Sequence, residues 1–129
     1  MWNYCLLHVR QEVINLYFFI LIVLVLESWK MILIKVHQSY RQVVSVCDKE
    51  ILGKTFEEGK KFLDIRENFY SGKEYLEAEA IEILIDFAKE DSTFNIVGKE
   101  SVQAALKTGI IKEDGVKTIQ GIPIALGLL

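Results

Sequence analysis

From Met31 onward apolar and polar positions follow a period of two. Ile32, Ile34 and Val36 are interleaved with Leu33, Lys35 and His37, and after Gln38-Ser39-Tyr40-Arg41 the run Gln42-Val43-Val44-Ser45-Val46-Cys47 takes up the same rhythm. Two such runs around a polar break predict a β-hairpin. A turn centred on Ser39-Tyr40 sets Val36 opposite Val43, Ile34 opposite Ser45 and Ile32 opposite Cys47, which makes that side the expected core face. The other side then carries Lys35, His37, Gln42, Val44 and Val46.

The rhythm changes three times further along. Residues 48–53 read as a polar turn and Thr55–Gly59 as a second one, before a third strand over Lys61–Arg66; Asn68–Gly72 breaks the pattern. Leu76, Ala80, Ile83, Leu84 and Phe87 recur at helical spacing, with Glu79, Glu82, Asp86 and Glu90 on another stripe, so residues 76–90 are expected to form an amphipathic helix. Phe94-Asn95-Ile96-Val97-Gly98 is a short apolar link, with a strand as the alternative, leading into a second helix, 99–108, that Gly109 would end in the left-handed conformation. Ile110-Ile111 is expected to dock on the core. Val116–Ile119 reads as a strand and residues 121–129 as an extended apolar terminus, which Pro123 would restrict to an edge strand or irregular chain. The predicted class is α+β: an N-terminal hairpin and small mixed sheet packed against two helices, with C-terminal strands.

Residues 1–30 look different. Val13–Leu26 is apolar but for Asn15, and about 20 apolar residues are needed to cross a bilayer as a helix. Glu27-Ser28-Trp29-Lys30 after it offers no small-residue cleavage site. The favoured reading is a start assigned too early; the alternatives are a weak membrane anchor through residues 13–26 and a structural helix of the domain. Residues 31–129 then form one domain. Two basic and two acidic side chains fall in 1–30, so the net charge of −3 belongs wholly to the remainder. That balance excludes gripping duplex nucleic acid by overall charge and leaves only a local patch. The chain's two cysteines, Cys5 and Cys47, give no disulfide framework, which fits a reducing cytoplasm.

The candidate chemistry is sparse. Gly53-Lys54-Thr55 looks like the end of a phosphate-binding loop, but the position that should hold its first glycine is Asp48, whose carboxylate repels phosphate. Cys47 and His37 lie near opposite ends of the hairpin, beyond the reach of a nucleophile and its base. No spacing calls for a metal or a cofactor, and no residue is assigned a catalytic role. The helix pair joined by 91–98 lacks the bases of a recognition helix. Six bases against four acids span residues 35–61, while nine acids and three bases span 62–91. Lys35, His37, Arg41, Lys49, Lys54, Lys60 and Lys61 are therefore the candidate RNA-contacting set, opposite an acidic helix.

The blocks Lys35-Val36-His37, Val46-Cys47-Asp48 with Leu52–Phe56, Phe69-Tyr70 with Gly72, Asn95–Gly98 leading to Ala104 and Gly109, and Gly121-Ile122-Pro123 together resemble the archaeal domain-of-unknown-function family four-two-four. The likeness covers Met31 to the C-terminus. It implies an archaeal cytoplasmic protein with a role near translation, and no catalytic residues. The first functional expectation is a non-catalytic domain associated with ribosomal or other structured RNA, or with translation proteins. The alternatives are a small-ligand protein or enzyme using the loop Asp48, Gly53, Lys54 and Thr55 with the 121–123 segment, and a protein–protein interaction module. A pocket lined by Asp48, Lys54 and residues 121–123 would favour the ligand; a flat basic face at Lys35, Lys54 and Lys60 would favour RNA.

Overall fold

The computed structural model describes residues 14–22 and 30–128. Residues 14–22 are helical (α1) with exposed side chains. Val13 and residues 23–26 of the apolar run lie outside the described residues. No described helix is long and apolar enough to cross a membrane.

The remaining elements are β1 (Ile32–His37), β2 (Gln42–Asp48), β3 (Thr55–Glu58), β4 (Lys61–Asp64), α2 (Glu67–Tyr70), β5 (Lys73–Tyr75), α3 (Glu77–Ala88), β6 (Ser92–Val97), α4 (Lys99–Thr108), β7 (Lys117–Ile119) and β8 (Ile122–Leu128). Six strands form one mixed sheet in the order β5-β1-β2-β6-β8-β7, and β3 and β4 form a separate two-stranded hairpin. The α+β class, the opening hairpin and the two principal helices agree with the sequence pattern. Gly109 ends α4 at φ 80°, in the left-handed region, and Ile110 and Ile111 are buried.

Because side chains alternate along a strand, the sheet has two faces. Ile32, Ile34, Val44, Val46, Phe94 and Ile96 form one, packed against Ala80 and Leu84 of α3 and Val102, Ala104 and Ala105 of α4. On the other, Cys47 and Val97 pack with Ile51 and Ile65, under Phe56 and Leu63 of the β3–β4 hairpin and Tyr70 of α2.

Three features correct the sequence reading and one resolves an alternative it left open. The hairpin register is displaced by one: Val36 pairs with Val44, Ile34 with Val46 and Lys35 with Ser45. A one-residue slip turns a strand over, so Val44 and Val46 join Ile32 and Ile34 beneath the helices, while Ser45 and Cys47 face the small hairpin. The apolar link takes the strand alternative and lies centrally in the sheet: β6 is parallel to β2 and antiparallel to β8, which agrees with setting the helix-turn-helix aside. Most of the stretch read as a turn over Thr55–Gly59 is the strand β3, and Lys73–Tyr75, to which the sequence pattern assigned no element, is the strand β5. Pro123 sits in β8, which has strands on both sides, but β6 ends at the Val97–Ile124 pair. Beyond it the Pro123 carbonyl accepts the Gly98 N–H at 2.9 Å, so no β6 bond needs the missing proline N–H.

Candidate functional site

The loop that opens after β2 closes inward. Asp48 is 2% exposed and its carboxylate lies at the N-terminus of α4. Oδ2 accepts the Glu100 N–H at 3.1 Å, and Oδ1 accepts the Ser101 N–H at 2.8 Å and the Ser101 hydroxyl at 2.7 Å. Asp48 therefore satisfies the first free amides of a helix whose own cap residue, Gly98, has no side chain to do so. Burial pushes its carboxyl above the ordinary range, against those hydrogen bonds, which favour the charged form. Gly98 is at φ 110°, and a Cβ there would stand 2.4 Å from the Asp48 Cγ. The Gly53 N–H donates to Ile65 O at 2.8 Å and the Lys54 N–H to Ile51 O at 3.1 Å, so these amides are not arrayed around an anion. Of the candidate ligand loop, Lys54 and Thr55 are exposed, while Asp48 is engaged inside.

The candidate basic set divides in two. Lys35 Nζ donates to Asn68 O at 2.7 Å, and His37 Nε2 donates to Phe69 O at 2.9 Å while its ring stacks on that of Phe69 with centroids 4.4 Å apart. A carbonyl only accepts, so Nε2 carries the proton. The Ser45 hydroxyl reaches the same carbonyl at 2.9 Å. These three side chains pin the single turn of α2 to the sheet. Arg41 pairs with Asp91, and Lys49 with Glu74 at 2.7 Å. Lys54, Lys60 and Lys61 are exposed on or beside the β3–β4 hairpin and have no ion pair among the described residues.

Beside this pinned turn lies a cleft of ≈ 320 Å³, between the small hairpin, α2 and strands β6, β7 and β8. Leu63, Ile124 and Leu126 supply apolar walls, and Tyr70, Asn95 and Lys117 its polar groups. Asn95 lies in β6 between Ser45 of β2 and Leu126 of β8, on the hairpin side of the sheet. The amide of half-buried Asn95, the hydroxyl of half-buried Tyr70 and the ammonium of exposed Lys117 make no hydrogen bond or ion pair with the described residues. The Tyr70 ring stands edge-on to Phe69 at 4.9 Å and 77°. Burial pushes the Tyr70 phenol up, with a smaller push from Cys47. Burial also pushes the neighbouring Cys47 thiol up, to about 12, which keeps it protonated and unreactive. Sequence reasoning passed over all three cleft residues. A lone amide inside the apolar run Phe94-Asn95-Ile96-Val97 is a usable signal for Asn95; Lys117 carries none.

A larger depression of ≈ 650 Å³ lies between β1, β5 and α3, but the ammonium of Lys35 on its wall is already taken by Asn68 O. No three His, Cys, Asp or Glu among the described residues are grouped to hold a metal ion.

Residues 36–127 match the family described as "Protein of unknown function (DUF424)". The crystal structure of an uncharacterized conserved protein from Methanopyrus kandleri, an archaeon, superposes with a TM-score of 0.68. It is 22% identical, and the match covers 74% of this chain and 89% of that one, which establishes a shared fold. No curated protein matches the sequence.

Proposed function

We propose that this chain, which belongs to the DUF424 family, is a non-catalytic binding domain for structured RNA, held on the side of the sheet that carries the small hairpin. The observation that carries the reading is the set of exposed lysines there that have no partner among the described residues: Lys54 at the foot of the β3–β4 hairpin, Lys60 and Lys61 at its tip, and Lys117 on the adjoining strand β7. Long flexible cations that make no internal contact are free to replace counterions on phosphates. The acidic residues of α3 lie on the opposite side of the sheet, so a polyanion approaching the hairpin avoids Glu79, Glu82 and Asp86. Lys35, His37, Arg41 and Lys49 drop out of the contact set because each is engaged within the protein.

Glu57 and Glu58 share the hairpin with the lysines, so the patch is small. Three or four phosphate contacts give a slope of log affinity against log salt of about −2 to −3.6. The test is a salt titration of the full chain against ribosomal subunits and a structured RNA. Lys54→Glu and Lys60→Glu are expected to weaken binding more than the corresponding Gln changes, since each adds repulsion to a lost contact. Binding absent at low salt, or indifferent to both reversals, removes the reading.

A further inference from the structure

We infer that the cleft between Tyr70, Asn95 and Lys117 takes one unpaired nucleotide, with its base on the apolar wall, the polar edge of that base on the Asn95 amide and its phosphate at Lys117. The inference deepens the RNA reading and rests on it for the source of the nucleotide; the chemistry of the cleft stands apart from it.

Three features select this ligand. The cleft is at the small end of the range for ligand sites, large enough for one nucleotide and too small to admit a helix of RNA. Its polar groups are mostly neutral. An amide offers two donors and an acceptor side by side, which is the complement of the edge of a nucleobase and a poor match for a simple carboxylate or phosphate. The Tyr70 hydroxyl, held protonated by burial, adds a further donor and acceptor. Leu126, 57% exposed, lies beside Ile124 and Leu63, a surface that a flat ring covers well. Single-stranded residues of RNA are commonly recognised in this way, by an apolar or aromatic contact with the ring and hydrogen bonds to its edge. Among the described residues one cation lines the cleft, Lys117, and it stands at the exposed edge strand, which suits one phosphate rather than a polyphosphate.

The nucleotide has two possible sources, a residue splayed from an RNA loop or bulge and a free monophosphate. The experiment follows the side-chain amide resonance of Asn95 in the full chain, identified by its loss in Asn95→Leu, during titration with the four ribonucleoside 5′-monophosphates, with inorganic phosphate, and with an RNA hairpin with or without one bulged nucleotide. The expected result is a saturable shift with at least one nucleotide and none with phosphate, together with tighter binding of the bulged hairpin. Asn95→Leu is expected to weaken nucleotide binding about tenfold, the worth of one or two neutral hydrogen bonds. It should also abolish the preference for the bulge. An equal shift with phosphate alone, or no shift with any nucleotide, overturns the inference, and RNA binding that then persists without preference for the bulge leaves the RNA reading standing. Binding of free nucleotide without any binding of RNA supports the cleft chemistry and removes the RNA reading instead.

Discussion

The two faces of the sheet are made from alternate residues of the same strands and are finished in different ways. Beneath α3 and α4, Ile32, Ile34, Val44, Val46, Phe94 and Ile96 meet two helices of ten and twelve residues, and the polar groups at the margin are closed by Asp48 on the end of α4. Under the small hairpin and α2 the cover is a single helical turn and eight strand residues. That cover reaches Cys47 and Val97 but leaves Leu126 and Leu128 exposed and Asn95 without a partner among the described residues. A helical layer removes a whole face from water, and the burial of such apolar area is what holds the fold. The lighter layer stabilises less and leaves polar groups that water or a ligand can reach. Stability belongs mainly to the first face, and the candidate chemistry to the second.

The sharpest way to break this comparison is at the closed margin of the helix-covered face. In Gly98→Ala the new Cβ would meet the Asp48 carboxylate on a backbone held at φ 110°, and the expected loss is about 3 kcal/mol or more. Asp48→Ala leaves two amides and a hydroxyl at the start of α4 without an acceptor, for a loss of about 2–3 kcal/mol. Chemical denaturation of the double variant checks the mechanism. If the carboxylate is what the Cβ strikes, Gly98→Ala costs less once Asp48 is gone, and simple additivity would refute it.

On the hairpin-covered face the expected effects are smaller. Ser45→Ala removes the hydroxyl that reaches Phe69 O but leaves His37 Nε2 on the same carbonyl, so the loss should be about 1 kcal/mol, read from the denaturation midpoint. Cys47 gives this face a pH dependence. Its folded pKa, about 12, lies above the ordinary thiol value of 9.0, so the folded state holds its proton more tightly than the unfolded state. The stability it contributes is intact below the ordinary thiol range and is lost as pH rises from there through about 12. Cys47→Ala should show a shallower alkaline decline in stability than the parent, with the residual slope owed in part to Tyr70, whose phenol is also pushed up. Equal slopes would show that the thiol is not desolvated.

How much of this was legible in the sequence depended on whether one face differed from the other. The amphipathic α3 and the Gly109 stop to α4 were readable because polar and apolar residues segregate there. The β1–β2 register was not, because Val43, Ser45 and Cys47 and the alternate pair Val44 and Val46 are both suited to burial when a sheet is covered on two sides. The same cause left Phe94–Gly98 readable as either a link or a strand, and Pro123 was placed at an edge although β6 ends before reaching it. The basic set was legible as composition only. Lys35, His37, Arg41 and Lys49 are neighbours in sequence of Lys54 and Lys60, and nothing local indicates that the first four are held by Asn68, Phe69, Asp91 and Glu74, between 25 and 50 residues away. The cleft joins residues 70, 95 and 117, and its assembly depends on the parallel pairing of β2 with β6 and the antiparallel return of β8.

The smallest effects test the two faces against each other most directly, because each has in its central strand β6 a polar side chain without a partner among the described residues. Ser92, on the helix-covered face with Phe94 and Ile96, buries its hydroxyl fully and has no hydrogen-bond partner among the described residues. A buried hydroxyl with no acceptor or donor costs free energy, so Ser92→Ala is expected to leave stability unchanged or raise it by up to about 1 kcal/mol. It should not alter nucleotide binding. Asn95 is half-buried and reached by water, so Asn95→Leu should also change stability by no more than about 1 kcal/mol, since it exchanges a solvated amide for an apolar side chain beside Leu126. What separates the two is the Asn95 variant's loss of nucleotide binding. Thermal denaturation of both, with and without a saturating monophosphate, reads the difference: the ligand should raise the Tm of Ser92→Ala as it raises that of the parent, and leave Asn95→Leu nearly unmoved. Equal ligand stabilisation of the two variants would show that the amide on the hairpin side has no more part in binding than the hydroxyl buried beneath the helices.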